Sequence, residues 1–512
     1  MTQAQDEIFK LLVTPAAYGE NASGRITRID THAAAVFLTG DHAWKIKRAV
    51  RFPFLDFSTL DKRKAVLEAE IEANKPFAPE LYLGLVPITQ ENGRLALGGK
   101  GEVIEWALKM RRFDETQTLD HLANKGKIDI GTMDRLARNI AAAHERAPMV
   151  EATPWIAALG EYIQQNYDAF RDHSKLFAQE DAARLTQTSR DALTKLRPLL
   201  EARGRLGLIR RGHGDLHLGN IAMIEGEARP FDALEFDPLV ASGDLLYDLA
   251  FLLMDLVERK LDAAANTVLN AYFAATRRDA DIEALAALPL FMSLRAAIRA
   301  KVTAAKIADA DTAKRDGLAR EAKTYFIVAC KLIAPPSPRL LAVGGLSGTG
   351  KSVLARGLAP HIAPAPGALL LRSDVERKAM FVVAETDRLP ADAYAPEVTA
   401  RVYGSLAEKA KRAITAGHSA IVDAVFAKPQ ERAIITDLAA REKLAFTGLF
   451  LTADTATRIA RVGKRVNDAS DANMEIARKQ EEYDLGTLDW NEVDANGTPG
   501  ETLEHAREKL RN

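Results

Sequence analysis

Two short stretches hold residues whose types and spacing suit one kind of chemistry. In HGDLHLGNI, residues 213–221, Asp215 stands five positions before Asn220. On one compact loop such a carboxylate can take a proton from a hydroxyl while the amide oxygen ligates a divalent cation. In GGLSGTGKS, residues 344–352, Gly345, Gly350, Lys351 and Ser352 satisfy the spacing G-x-x-x-x-G-K-[ST]. Backbone N–H groups of such a loop, here including Ser347, Gly348 and Thr349, turn inward onto phosphate oxygens. Lys351 would reach the outer phosphates and the Ser352 hydroxyl would ligate Mg²⁺. Both stretches therefore point to a nucleotide triphosphate with Mg²⁺, ATP being expected and GTP left open.

Further candidates surround the glycine loop. The apolar run ALLLR leads to Asp374, with Arg377 on the helix that follows as a second substrate candidate, and SAIV leads to Asp423. Strand ends of an open parallel sheet face the ligand crevice. Asp374 would thus accept a proton from an attacking hydroxyl, or else cap a helix. Asp423 would hold Mg²⁺ through water, or else serve a turn. Arg458, Arg461 and Arg465 share one helical face, suited to clamping a transferring phosphoryl group or simply to facing solvent. No acidic pair follows the strand at Asp423 to activate water, so phosphoryl transfer is favoured over motor-type hydrolysis.

Phosphoryl transfer at the first stretch needs a second metal carboxylate, a strand lysine and a helix glutamate to hold that lysine. FDALEFDP offers Asp232, Glu235 and Asp237. AWKIK offers Lys45 and Lys47, which lie two apart and so share a face. In RKAVLEAEIEANK, Leu67, Ile71 and Asn74 mark the inward face, and Glu70 lies with them, an acid that wants a cationic partner. His213 and His217 read as loop-ordering groups, since no second His or Cys cluster accompanies them.

The elements that must position these residues are legible in the patterning. RITRI, AAVFL and AWKIK alternate as strands, the last two joined by the turn TGDH into a hairpin. Strand signals persist to about residue 110, after which helical patterns dominate. Residues 283–333 read as a long helical segment, and the three prolines of APPSPR, residues 334–339, mark the main boundary before the apolar strand RLLAVGG. The 512 residues suggest two to four domains. A net charge of −1 and no interleaving of aromatic with basic residues disfavour nucleic acid. The one cysteine, Cys330, excludes an internal disulfide. The N-terminus makes a poor signal peptide, and the most apolar helical stretch, LLYDLAFLLMDLV, is too short and too acidic to span a bilayer. A cytoplasmic protein without a membrane partner is expected.

Residues 339–512 resemble the small P-loop kinases that include gluconate kinases, polynucleotide kinases and zeta-type toxins. GLSGTGKS, RSDVERK, IVDAVF and the R-x-x-R-x-x-x-R run carry that resemblance. It implies contact of Asp374 with the acceptor. Residues 25–310 resemble the aminoglycoside phosphotransferase family, on HGDLHLGNI, GDLLYDLAFLL, RNIAAAHERAP and the hinge-like VIEWALKM. This second resemblance favours Lys45 as the nucleotide lysine and Glu235 as the metal acid, with Asp237 and Asp232 as alternates. It also places Glu105 and Ala107 against adenine and gives Asp248 a buttressing role beneath the catalytic loop. The complete order resembles bacterial proteins in which such a phosphotransferase is fused to a P-loop ATP-binding domain.

The expected fold is an α+β protein-kinase-like two-lobed domain followed by an α/β P-loop domain with a parallel sheet. The first domain would span residues 1–334, with a β-rich lobe at about 25–110 and a helical lobe at 111–334; the second would span 335–512. The expected function is phosphoryl transfer from ATP to hydroxyl groups of small molecules at two Mg²⁺ sites. The alternatives are one active kinase governed by a second nucleotide-binding domain, or a kinase acting on protein or nucleic acid.

Overall fold

The computed structural model describes residues 3–19, 25–52, 55–235, 239–464 and 469–511. The chain resolves into two compact units, Met1–Ala158 with Leu200–Leu252, and Leu159–Leu199 with Leu253–Asn512.

The first unit opens with an antiparallel sheet. In spatial order its strands are Thr27–Asp30, Ala34–Leu38, His42–Lys47, Glu102–Arg111, Tyr82–Glu91 and Arg94–Leu97. The expected hairpin is present, with Leu38 opposite Ala43 and the turn closed by Thr39 N–H donating to the His42 carbonyl at 2.9 Å. Alternation along the third strand sorts its side chains between two faces. Trp44 and Ile46 enter a core with Phe37 and with Ile8, Phe9 and Leu12 of the N-terminal helix Gln3–Leu12. Lys45 and Lys47 project from the other face, where helix Leu60–Asn74 meets them. Thr59 caps that helix by accepting the Lys62 N–H at 3.3 Å. Its Leu67 packs with Leu81 and Leu108, which fixes the helix on the sheet.

The loop at 213–221 is framed by two small antiparallel pairs, Ile209–Arg211 with Ser242–Asp244 and Ile221–Ile224 with Glu227–Pro230. A buried bidentate pair, Arg203 Nη2 to Asp244 Oδ1 at 2.8 Å and Nε to Oδ2 at 2.5 Å, anchors the second strand of the first pair. Helix Ile130–Arg146 buries Met133, Leu136, Ala137, Ile140 and His144, a 3.6-period stripe that brings His144 beneath the loop.

The second unit holds a five-stranded sheet ordered Leu369–Arg372, Ala420–Asp423, Arg339–Gly345, Ala445–Thr452 and Asn491–Asp494, every neighbouring pair parallel. Parallel strands are covered on both faces, which explains the unbroken apolar runs. Leu341, Val343, Ile421, Leu449 and Leu451 pack with Leu354 and Leu358 of helix Lys351–Leu358. Each such side chain contributes about 1.5–3 kcal/mol by burial.

The helical segment read at 283–333 contains two long helices, Leu288–Ala305 and Thr312–Leu332. Asp311 caps the second by accepting the Lys314 N–H at 3.1 Å. Ser293 Oγ on the first helix donates to the Ala329 carbonyl at 2.8 Å. The proline-rich stretch at 334–339 lies inside this second unit. Among the described residues no helix is long and apolar enough to cross a membrane.

Candidate active sites

In the first unit a cavity of about 500 Å³ is lined by Lys45, Lys47, Asp215, Asp232 and Glu235, with Met110 to Phe113 on the strand exit. Five charged side chains form a lattice here. Glu70 is fully buried and takes both lysines, Lys45 Nζ at 2.7 Å and Lys47 Nζ at 2.8 Å. Lys45 also reaches Asp232 Oδ1 at 3.0 Å, and Lys47 reaches Glu235 Oε1 at 2.6 Å. Burial would lower the Lys45 pKa, but Asp232, Glu70 and Glu235 outweigh it and hold the ammonium well above its ordinary value. Lys45 in turn holds the Asp232 carboxyl below its ordinary value. Two lysines share one glutamate because their strand puts them on one face.

The catalytic-loop candidates are preorganised. Asn220 Nδ2 donates to Asp215 twice, to the carbonyl at 3.0 Å and to Oδ2 at 2.9 Å. Beneath them Asp248 accepts the N–H groups of His213 and Gly214, each at 2.8 Å, and meets His144 Nε2 at 3.1 Å. His213 Nε2 donates to the Phe231 carbonyl at 3.0 Å, tying the loop to the residue before Asp232. Burial lowers the His213 pKa, against the pull of Asp248 and Asp215, and keeps the ring neutral. Asp232 itself sits at φ +59°, a conformation few non-glycine residues adopt. Its N–H donates to Tyr82 Oη at 3.0 Å, and Ala233 N–H donates to Asn74 Oδ1 at 2.9 Å.

Three readings of this site change. Glu235 closes an ion pair with Lys47, whereas Asp232 is the acid that meets Lys45 and stands half exposed to the cavity. Asp237 lies outside the described residues. Glu105 and Ala107 do not line the cavity. They are mid-strand, opposite Ile88 and Val86, and Ala107 is buried against Ile8, Phe9 and Leu12. The Glu105 carboxylate takes Arg63 Nε at 2.9–3.0 Å and Gln5 Nε2 at 2.8 Å. The segment that leaves the sheet into the cavity comes several residues later, at Met110 to Phe113.

In the second unit the glycine loop joins strand Arg339–Gly345 to helix Lys351–Leu358 and borders a cavity of about 300 Å³. Gly350, Lys351, Ser352, Asp374, Arg461 and Ser470 are among its walls. Gly348 adopts φ +91°, and a Cβ there would lie 2.5 Å from the Arg458 carbonyl oxygen, so the loop closes only with glycine. Burial raises the Asp374 pKa, with Asp423 adding to the rise and Lys351 and Arg372 opposing it. Asp423 is buried; Oδ2 accepts from Arg372 Nε at 3.3 Å, and Oδ1 has no hydrogen-bond partner among the described residues. A buried carboxylate oxygen left in this state suits a cation or a water that serves one.

The arginines divide by role. Arg458 is buried under the loop: Nε donates to the Ser347 carbonyl at 3.0 Å and Nη2 to the Ala477 carbonyl at 2.9 Å, with Glu481 closing the pair. Gln480 Oε1 accepts the Ser347 N–H at 2.7 Å. Arg458 therefore shapes the phosphate loop and does not point into the cavity. Arg461 lines the cavity, and its donors reach the carbonyls of Ala495 at 2.7 Å and Gly497 at 2.6 Å. Arg465 lies outside the described residues. Arg377 is not at the cavity wall: it is buried, donates to the Ala393 carbonyl at 2.6 Å and to Thr399 Oγ1 at 3.3 Å, and stacks on Tyr394. It orders the segment after Asp374 and leaves little to offer a substrate. Lys378, Asp471 and Tyr394 form a polar cluster that the sequence reading missed, Asp471 meeting Lys378 Nζ at 2.7 Å and Tyr394 Oη at 2.5 Å.

Residues 95–288 match the phosphotransferase enzyme family, and residues 340–483 match the AAA domain family. With the kinase-like and P-loop folds described above, the chain is an ATP-dependent kinase of composite type, a phosphotransferase-family region followed by a P-loop kinase-like region. Over 472 residues it is 29% identical to an uncharacterized protein of Mycobacterium tuberculosis (strain ATCC 25618 / H37Rv), a match covering 89% of this chain and 90% of that protein. An uncharacterized protein of Mycobacterium bovis matches to the same extent. Among solved structures, a choline/ethanolamine kinase family protein from Mesorhizobium loti overlaps 65% of this chain and 99% of its own, at 16% identity and a TM-score of 0.37. A sugar kinase from Janibacter sp. HTCC2649 overlaps 34% of this chain and 95% of its own, at 22% identity and a TM-score of 0.27.

Proposed function

We propose that the chain is a bifunctional phosphotransferase that moves the γ-phosphoryl group of ATP to hydroxyl groups of small molecules at two separate sites. The observation that carries this reading is a repetition: each unit has a cavity that pairs a lysine suited to phosphate with an aspartate placed to accept a proton. In the first site Lys45, held by Glu70, would bind phosphate oxygens. Asp215 would orient the acceptor hydroxyl and take its proton. In the second, Lys351 and the loop N–H groups would bind the phosphates, and Asp374 would take the proton. Its raised pKa makes it a stronger base than an ordinary aspartate once ionised.

The residues present fit Mg²⁺ in both places. Asn220 engages Asp215 through its nitrogen, which leaves Oδ1 as the ligand atom, and its backbone carbonyl accepts the N–H of Phe231, the neighbour of Asp232, at 2.9 Å. Ser352 and the unpartnered Asp423 Oδ1 supply oxygens in the second site. The bound ion would neutralise charge on the phosphates. The remaining contribution of the chain is positioning: the Asp248 buttress holds the loop of Asp215 and the Arg458–Gln480 clamp holds the glycine loop in place before substrate arrives.

The test is ADP release over a panel of sugars, amino alcohols, aminoglycosides and nucleosides, with wild type beside Asp215→Asn and Lys351→Ala. Each substitution should abolish turnover of a different acceptor. If one abolishes all turnover while the other alters only its rate, the second site is a regulator and the bifunctional reading falls.

A further inference from the structure

We infer that helix Asp262–Thr276, which lies within the phosphotransferase-family match, is a positioning element of the P-loop site: it grips both ends of the segment that carries Asp374. This rests on the reading of Asp374 as the base of that site. Strand Leu369–Arg372 is the edge of the parallel sheet, so one row of its backbone groups has no neighbouring strand. A side-chain amide of the helix takes that place. Asn270 Oδ1 accepts the Leu370 N–H at 2.7 Å, and Asn270 Nδ2 lies 3.2 Å from the Ala368 carbonyl oxygen. One asparagine thus presents the acceptor and the donor that a peptide group of a sixth strand would present.

Asn266, one turn earlier and buried, adds a donation from Nδ2 to the same Ala368 carbonyl at 3.0 Å. A Cβ on Gly367 would lie 2.7 Å from Asn266 Nδ2, and Gly367 sits at φ +106°. At the other end of the helix Arg277, its C-cap, reaches the Val383 carbonyl with Nη2 at 3.4 Å. Asn266 and Asn270 are four apart and so share one helical face, and Arg277 follows just past the last turn. Between the two grips run Leu371 and Arg372 of the strand, then helix Ser373–Met380, whose second residue is Asp374. The helix therefore sets the register of the strand end from which Asp374 emerges, while the glycine loop on the central strand is held independently by Arg458 and Gln480.

That separation makes the inference testable by splitting kcat from KM. In the full chain, Asn270→Leu keeps the branched shape of the side chain and removes both amide contacts to the strand. Turnover at the Asp374 site should fall at least 10-fold in kcat, since a displacement on the order of 1 Å can cost 10²-fold. KM for ATP should stay within about twofold, because no contact to the phosphate loop is touched. Amide exchange at Leu370 should accelerate, and Asn270→Asp, which keeps the acceptor for Leu370 N–H, should recover part of the loss. Unchanged kcat and exchange in Asn270→Leu would overturn the inference, as would kcat and KM for ATP deteriorating together. Asp374→Asn is run alongside: full turnover in that variant would sink the underlying assignment of the base, a separate failure.

Discussion

Removing the Lys47 ammonium, as Lys47→Met, tests the charge lattice of the first site and the choice of metal acid together. Lys47 is 3% exposed, Glu70 fully buried and Glu235 10% exposed. In Lys47→Met, Lys45 still meets Glu70 at 2.7 Å, but Glu235 loses its cation inside the protein. Breaking a buried pair by removing one partner costs about 3–5 kcal/mol. For a unit of this size that is a fall of about 6–20 °C in its melting transition. Glu235→Gln costs less, about 1–3 kcal/mol, because Lys47 keeps Glu70 Oε2 at 2.8 Å. The double variant should be more stable than Lys47→Met alone, with a coupling of about 0.5–3 kcal/mol. The assay is thermal unfolding of the four proteins, with Asp215-dependent ADP release measured on each. Glu235→Gln should retain turnover, whereas Asp232→Asn, at the acid that faces Lys45 and the cavity, should abolish it without a comparable loss of stability. A Glu235→Gln protein that is dead while Asp232→Asn remains active would refute the assignment, and additive costs for the pair would refute the lattice.

Three further outcomes follow from named contacts. His418 is buried, donates from Nε2 to the Gly367 carbonyl at 2.9 Å, and has its pKa lowered by burial from 6.5 to about 4. Between those values the unfolded chain binds more protons. Stability is therefore full above pH 6.5 and declines toward pH 4, by up to about 3 kcal/mol. His418→Gln should flatten that part of the stability–pH curve, and an unchanged curve would show that another group titrates. Gly348→Ala puts a Cβ 2.5 Å from the Arg458 carbonyl oxygen; Lys351-dependent nucleotide binding should vanish while Asp215-dependent turnover persists. Asp423→Asn should raise the Mg²⁺ concentration needed at the P-loop site by about 10–100-fold, read by metal titration of turnover, and an unshifted titration would remove Asp423 from the metal's surroundings.

The loop of Asp215 and Asn220 and the glycine loop were both legible in the sequence, because each is a local arrangement in which residue type and spacing define the geometry. The hairpin that carries Lys45 and Lys47 and the inward face of the helix with Glu70 were legible for the same reason: strand and helix periods fix which side chains share a face. Periodicity could not separate the two lysines, and the structure uses both on Glu70. Asp232 was harder to single out, since the bonds that hold its φ of +59°, from its own N–H to Tyr82 and from the Ala233 N–H to Asn74, reach residues far away in sequence. The strand exit was misplaced at Glu105 and Ala107 because strand Glu102–Arg111 runs on for several residues beyond its hinge-like phrase. In a sequence Arg458 looks like a phosphate ligand and Arg377 like a substrate ligand. Only their carbonyl partners, Ser347 and Ala393, show them to be supports. The asparagines of helix Asp262–Thr276 gave no local signal at all, because what they satisfy is the edge of a sheet about a hundred residues later.

The central claim is that one chain holds two nucleotide-phosphate sites, and counting bound nucleotide tests it most directly. Calorimetric titration of the full chain with a non-hydrolysable ATP analogue and Mg²⁺ should give two equivalents per chain. Lys351→Ala should lose one and Asp232→Asn the other, leaving the remaining isotherm unchanged. A single equivalent in the wild type, or both lost together in either variant, would contradict the account.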